Sequence, residues 1–345
     1  MSGVLLRWAC TAAVAAQAVL APVPAAAAPD PQPSVARLLT DLQRLYRQTE
    51  QATETYNATS EQLRRQRAEV ARLDAELARA RLALQGGRAD AGRLARQQYQ
   101  NSGGLGPYVR LLLAPDPQHA LDEGHVIGEL ARARVRTVAR LTAAEERKDA
   151  LARAARKALD TQQTLAGRQR RQRDEVRASL AGVERMLAGL SADQLAAVAR
   201  LEQQSVTAAQ QRLTAAGALP AARPASPAGD RAVHYALDQL GKPYAWGAQG
   251  PDAYDCSGLT AEAWSHAGTP IPRTSQEQWQ RLRKVPLRDL RPGDLVVYFP
   301  EATHVAMYVG DGKVVQAPRP GGKVTVSPLA SYPVLGAVRP DDSAR

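Results

Sequence analysis

An internal disulfide is excluded almost at once by the scarcity of cysteine. The 345-residue chain has two, and Cys10 falls in an N-terminal leader, so an exported chain keeps Cys256 alone. A lone thiol there is a buried small hydrophobe, an intermolecular partner or a reactive nucleophile. Aromatic residues are also rare, at 4% with a single Phe, against abundant Ala and Arg. Codon composition alone can produce that bias, so it excludes little. Beyond the leader no stretch is apolar enough to span a bilayer. No Cys/His spacing suits zinc, which argues against a metallopeptidase and leaves the chemistry needing no cofactor. No repeat of solenoid length is visible.

What is present begins with an export signal. Arg7 supplies a positive start, Trp8 to Leu20 is apolar and uncharged, and Ala25 to Ala28 offers small residues for cleavage. Residues 1–28 read as a signal peptide. Pro22 and Pro24 argue against an uncleaved anchor, and Arg7-Trp8-Ala9 before Cys10 lacks the pattern of a lipidation site. The mature chain is expected to be exported and soluble. The net charge of +11 is uneven: Ser34 to Gly217 holds 30 Lys/Arg against 21 Asp/Glu, and Asp230 to Arg345 holds 13 against 12. A basic half can favour acidic wall polymers or anionic headgroups. A solvated helical face is the simpler account, and no nucleic-acid partner is expected.

From Val35 to Leu84 a heptad pattern holds. Its a positions are Val35, Leu42, Thr49, Tyr56, Leu63, Val70, Leu77 and Leu84. Its d positions are Leu38, Leu45, Ala52, Thr59, Gln66, Leu73 and Ala80. This predicts a coiled-coil seam with a weaker, polar middle at Thr49, Thr59 and Gln66. At a rise of ~1.5 Å per residue the helix reaches roughly 75 Å, too long for a compact globule. The pattern breaks in the glycine-rich stretch from Asn101 to Pro107 and resumes near Ala120, running to about Gly217. Two long helices joined through a tip near 101–124 make an antiparallel hairpin over 34–217. Leu105, Tyr108, Leu111, Leu112 and Leu113 at the tip form either a small closing core or a docking surface. Residues 218–229, with three prolines and no periodicity, read as a linker.

The character changes after Asp230. Helices are expected at Asp230–Leu240 and Cys256–Ala267. Strands are expected at Asp294–Phe299, His304–Val309, Val314–Ala317 and Val334–Val338. Helices followed by an antiparallel sheet indicate an α+β domain. Cys256 opens a helix, where free N–H groups and the macrodipole favour a thiolate and predict a lowered pKa. A base is then needed nearby. His304, opening a strand, is the leading candidate. Gln316, on the partner strand, would orient the imidazole. A three-residue Gly310-Asp311-Gly312 loop would set Gln316 opposite Ala306, on the face of His304. His119, His125, His234 and His266 lack such settings and read as surface residues.

The stretches Gly241–Gly247, Tyr254–Leu259, Ile271–Gln276, Arg291–Leu295 and His304–Pro318 together resemble the NlpC family of bacterial cell-wall cysteine peptidases, over residues 230–340. The resemblance implies a papain-like core and hydrolysis of peptidoglycan stem peptides, typically between D-γ-glutamyl and the following diamino acid. Cys256 would be the nucleophile, His304 the base, Gln316 the third group and Tyr244 a hydroxyl near the sulfur. Asp255, Ser257, Arg273 and Ser275 would hold the substrate. Many relatives carry His where this chain has Gln316, and a neutral amide stabilises an imidazolium less. The N-terminal half resembles the coiled-coil regulatory domains of secreted cell-separation hydrolases. Such a hairpin can cover the active site or dock on the extracellular part of a division-associated transporter-like complex. The expected architecture is therefore multidomain, an all-α antiparallel coiled-coil hairpin followed by an α+β papain-like domain. Two other readings stand beside the endopeptidase: a cysteine/histidine amidase cutting between sugar and peptide, and a non-catalytic wall-binding division scaffold.

Overall fold

The computed structural model describes residues 34–101, 107–219 and 223–341. The proposed leader and Leu105 lie outside them. Helix α1 (Val35–Asn101) runs unbroken through Gly86-Gly87, and a short α2 (Pro107–Leu112) leads into α3 (Pro117–Ala188). Asp116 caps α3 by accepting from the His119 amide at 2.9 Å, with Pro117 in the first turn, where its missing N–H costs nothing. The helical run expected to reach Gly217 is split at Gly189. Helix α4 (Ala192–Ala215) restarts with a reciprocal Ser191–Gln194 capping box.

Helices α1 and α3 lie antiparallel. Leu38, Leu39 and Leu42 pack with Val183 and Val198, and Leu73 and Leu77 pack with Ala155 and Ala158. Arg88 reaches Glu145 at 2.9 Å farther out. Leu112 and Leu113 remain 83% and 66% exposed, so they close no core at the tip.

Helix α5 (Pro227–Leu237) starts three residues earlier than expected, with Ser226 as its cap. The sequence reading had assigned Pro227 to Gly229 to the linker. A proline at the first helical position is a start signal as well as a breaker. Helix α6 spans Cys256–His266 and α7 spans Ser275–Arg281. Six antiparallel strands follow: β1 (Arg283–Val285), β2 (Leu295–Tyr298), β3 (His304–Gly310), β4 (Lys313–Gln316), β5 (Thr325–Pro328) and β6 (Val334–Arg339), in the order β1-β6-β2-β3-β4-β5. Both edge strands were missed from sequence. β1 is three residues with two charges, and β5 is half-exposed and ends in proline, which only an edge tolerates.

Alternation along the strands divides two cores. Leu295, Val297, Val305, Met307, Val315 and Val338 face α5 and α6 around Trp264. Val296, Tyr298, Ala306, Tyr308, Val314 and Ala337 face Leu329, with Leu213 and Leu219 of the helical half packed against them. The helical half is thus docked on the back of the sheet. Gln210 reinforces this by donating to the Gly312 carbonyl and accepting from the Ala330 amide.

The β3–β4 register pairs Met307 with Val315, and its continuation sets Gln316 level with Ala306, as expected. The turn differs. Asp311 and Gly312, both at positive φ, form a two-residue loop closed by Gly310 and Lys313. A bulge between Tyr308 and Gly310 absorbs the extra residue.

Candidate active site

Asp255 shapes the start of α6. Its Oδ1 accepts from the Gly258 amide at 2.6 Å, and its Oδ2 accepts from the Gly247 amide at 2.9 Å. A side chain at Gly258 would meet the Ala248 carbonyl oxygen at 2.2 Å, so only glycine lets the helix press on that loop. Cys256 is then the first helical residue, buried at 2% exposure. Arg273 forks onto Asp255, with Nη2 to Oδ2 at 2.6 Å and Nη1 to Oδ1 at 3.1 Å, and reaches Ser257 Oγ at 2.8 Å. Ser275 uses its hydroxyl to hold the Ala302 carbonyl at 2.7 Å, just before His304. Gln278, which sequence reasoning missed, donates to the Ser257 and Pro272 carbonyls and accepts from Thr260. It ties helix α6 to the Arg273 loop.

His304 opens β3. Its Nε2 donates to Gln316 Oε1 at 2.7 Å, which leaves Nδ1 as the nitrogen available to the site. The ring is fully buried, with Tyr332 packed edge-on at 4.9 Å and Tyr298 tilted at 5.6 Å. Tyr332 was also missed. Tyr244 is buried, and its phenol is pushed well up by burial and by the charges of Cys256, Asp255, Glu50 and Glu54.

The remaining side chains come from α1, about two hundred residues or more away in sequence. Glu54 accepts from Ser257 Oγ at 2.7 Å and from the Ser275 amide at 2.8 Å, and its Oε1 lies 4.0 Å from the Cys256 sulfur. Glu50 Oε1 sits 3.2 Å from His304 Nδ1 as an ion-pair partner without hydrogen-bond alignment. Asn57 donates to Asp255 Oδ2 at 3.0 Å. Tyr56 packs edge-on against Trp246 at 5.1 Å. Helix α1 therefore lies across the site as a strap. Glu50, Glu54 and Asn57 fall at b, f and b of the heptad, the face expected to meet solvent. The one signal available in the sequence was the polar seam around them, at Thr49 and Thr59.

The electrostatics differ from the sequence expectation. A lowered thiol pKa was predicted from the helix N-terminus. In the strapped site Cys256 is instead pushed well above its ordinary value, first by burial and then by Glu54, Asp255 and Glu50. An amide hydrogen bond from Val305 pulls weakly the other way. Burial and three carboxylates outweigh one helix turn. Burial alone would lower His304, but the Glu50 charge and contact, with Gln316, raise it. Glu54 is pushed up to about 7, mainly by burial and then by Asp255, against Arg273, Ser257 and Ser275. Both shifts run toward the protonated forms, away from the thiolate and free imidazole that attack by Cys256 would require.

Residues 241–335 match the model of the NlpC/P60 family, so the C-terminal part of the chain is an NlpC/P60 domain. The chain is 43% identical over 118 residues to a probable endopeptidase of Corynebacterium glutamicum, covering 34% of this chain and 56% of the relative. It is 38% identical over 117 residues to the peptidoglycan endopeptidase RipB of Mycobacterium tuberculosis, covering 29% and 48%. The chain spans about half the length of these curated relatives. Among solved structures, NlpC1 from Trichomonas vaginalis matches 33% of this chain and 45% of its own at 31% identity, with a TM-score of 0.32. Among the described residues no helix is long and apolar enough to cross a membrane.

Proposed function

We propose that the protein is an extracytoplasmic peptidoglycan endopeptidase, acting on stem peptides between D-γ-glutamyl and the following diamino acid, in wall remodelling or cell separation. The observation that carries this reading is the Cys256–His304–Gln316 set within the NlpC/P60 domain, with Gln316 holding the imidazole so that Nδ1 faces the site. Once the strap leaves, His304 takes the thiol proton and the sulfur attacks the scissile carbonyl. The tetrahedral adduct collapses to a thioester as His304 protonates the leaving amine, and water then hydrolyses the thioester with His304 as base. Tyr244 stands as a donor for the developing oxyanion. Asp255, Ser257, Arg273 and Ser275 hold the acyl side of the substrate.

In the strapped form the enzyme is silent, because Glu50 and Glu54 occupy the groups that substrate would use. The exposed tip leucines Leu112 and Leu113 remain the candidate docking element for a division-associated transporter-like complex that would pull the strap away.

The test is mass spectrometry of muropeptides released from purified wall by the full chain, by its Glu50→Ala/Glu54→Ala variant, and by that variant with Cys256→Ala. The opened variant should release fragments with a new amino group on the diamino acid, and Cys256→Ala should abolish this. A new amino group on the first stem residue would mean an amidase. Release that persists without Cys256, or no release by the opened variant, would remove the thiol-peptidase reading.

A further inference from the structure

Helix α1 measures the cleft, one turn at a time. Asn57 meets Asp255, Glu54 meets Ser257 and the Ser275 amide, and Glu50 meets His304. The next turn brings Tyr46, whose ring lies beneath the Arg319 guanidinium at 4.8 Å. Four residues of helix span about 6 Å. Arg319 therefore sits one turn beyond His304, on the side away from Arg273. Tyr332 bridges the interval, packing on His304 and donating its hydroxyl to the Pro318 carbonyl at 3.4 Å. Here, in the strapped form, a cleft of about 690 Å³ lies between the helical half and the sheet domain, and its walls on the catalytic side include Leu287, Phe299, Arg319, Tyr332 and Val334.

The chemistry gives the cleft a direction. If Cys256 attacks and His304 protonates the leaving amine, the leaving residue lies on the His304 side, toward Arg319. Both terminal nitrogens of Arg319 are used in the strapped form. Nη1 meets Glu202 Oε1 at 2.7 Å and Nη2 meets Oε2 at 3.1 Å, the parallel fork that a guanidinium makes with a carboxylate. Glu202 belongs to α4, in the helical half. When that half departs, Arg319 loses both its carboxylate partner Glu202 and the Tyr46 ring packed against it. The helical half thus sets one acid on each side of the reacting pair, Glu54 at Ser257 and Glu202 at Arg319.

We infer that Arg319 is the carboxylate clamp of the leaving-residue subsite, selecting stem peptides whose diamino acid carries a free side-chain carboxylate, and that Glu202 occupies this clamp while the enzyme is strapped. The inference rests on the endopeptidase reading and specifies its substrate. A leaving residue ending only in an amine, as lysine does, would meet a like charge. The apolar faces of Phe299 and Tyr332 would flank its methylenes.

The experiment uses the full chain carrying Glu50→Ala, Glu54→Ala and Glu202→Gln, with opening verified by iodoacetamide alkylation of Cys256. Two synthetic peptides, L-Ala-γ-D-Glu-X-D-Ala with X as diaminopimelate or lysine, are compared by kcat/KM. The opened enzyme should favour diaminopimelate by about 10- to 100-fold, as expected for a charge-assisted pair. Arg319→Gln should erase that preference, slowing the diaminopimelate peptide mainly through KM and, with the like charge gone, not slowing the lysine peptide. Amidating the side-chain carboxylate should have the same effect as Arg319→Gln, and Arg319→Lys should restore part of the preference. An unchanged preference in Arg319→Gln, or an equal fall on both peptides, overturns the clamp while leaving the peptidase intact. If an alkylatable enzyme cleaves neither peptide, the endopeptidase reading fails and the clamp falls with it.

Discussion

Two stretches of α1 follow the same heptad and bury opposite kinds of residue. From Leu63 to Leu84 the buried positions are Leu63, Leu73, Leu77, Ala80 and Leu84, all a or d. From Thr49 to Thr59 they are Thr49, Glu50, Thr53, Glu54, Asn57 and Thr59, spread around the helix and all polar. The outer stretch has one partner, α3. The inner stretch lies between the hairpin and the catalytic domain, so its outward face is covered as well. A buried polar residue is best tolerated where it is hydrogen-bonded or paired; the NlpC/P60 domain supplies partners for Glu50, Glu54 and Asn57, while Thr49 bonds back to the Leu45 carbonyl of its own helix. The same helix is therefore a structural rod along one half and an occupant of the active site along the other.

The sharpest test of that division sets Glu50→Ala/Glu54→Ala/Asn57→Ala beside Leu73→Ala. The triple variant should raise the alkylation rate of Cys256 by 100-fold or more with helicity unchanged, because several charge-assisted contacts are lost together. Leu73→Ala should cost the hairpin about 2 kcal/mol or more in denaturation and shift alkylation less than threefold. Equal alkylation in the two variants would erase the distinction between rod and strap.

A smaller effect is expected from pH. Glu54 has an ordinary value of 4.5 and stands at about 7 when strapped, and His304 is raised as well. Strapping therefore takes up protons. The stabilisation from Glu54 is full below about 4.5 and is lost as pH rises through about 7, and His304 acts in the same direction. Alkylation of the wild-type chain, taken as a ratio to the opened variant, should rise by up to tenfold per pH unit between about 5 and 7. Glu54→Gln should flatten that slope. A ratio that falls with pH would contradict the charge assignment.

The smallest effect concerns Thr53, whose hydroxyl is buried without a hydrogen-bond partner. Thr53→Val removes the unpaired group at nearly constant shape. It should slow wild-type alkylation two- to fivefold, and faster alkylation would mean that the hydroxyl has a partner in solution.

Much of the catalytic half was legible because its cues are local. Asp255 before Cys256 marks a helix start, Gly258 permits the close approach, and the spacing from His304 to Gln316 gave the register even though the turn was of another type. The edge strands escaped because short, charged or proline-ended segments carry little periodicity. Gln278 and Tyr332 escaped because their roles depend on what packs against them. No local pattern links Glu202 to Arg319, and only the docking of α4 on the sheet joins them.

By itself the amino-acid sequence determined that Cys256 opens a helix, that His304 and Gln316 share a face of paired strands and that a long helical hairpin precedes them, because caps, strand alternation and heptads act over a few residues. Tertiary structure decided that the outer face of α1 enters the reactive centre, making the thiol harder to ionise instead of easier. Asn57 and Asp255 are 198 residues apart, and no short-range propensity links them. Their contact follows from how two independently patterned halves dock, with the buried charges of one answered by the polar groups of the other.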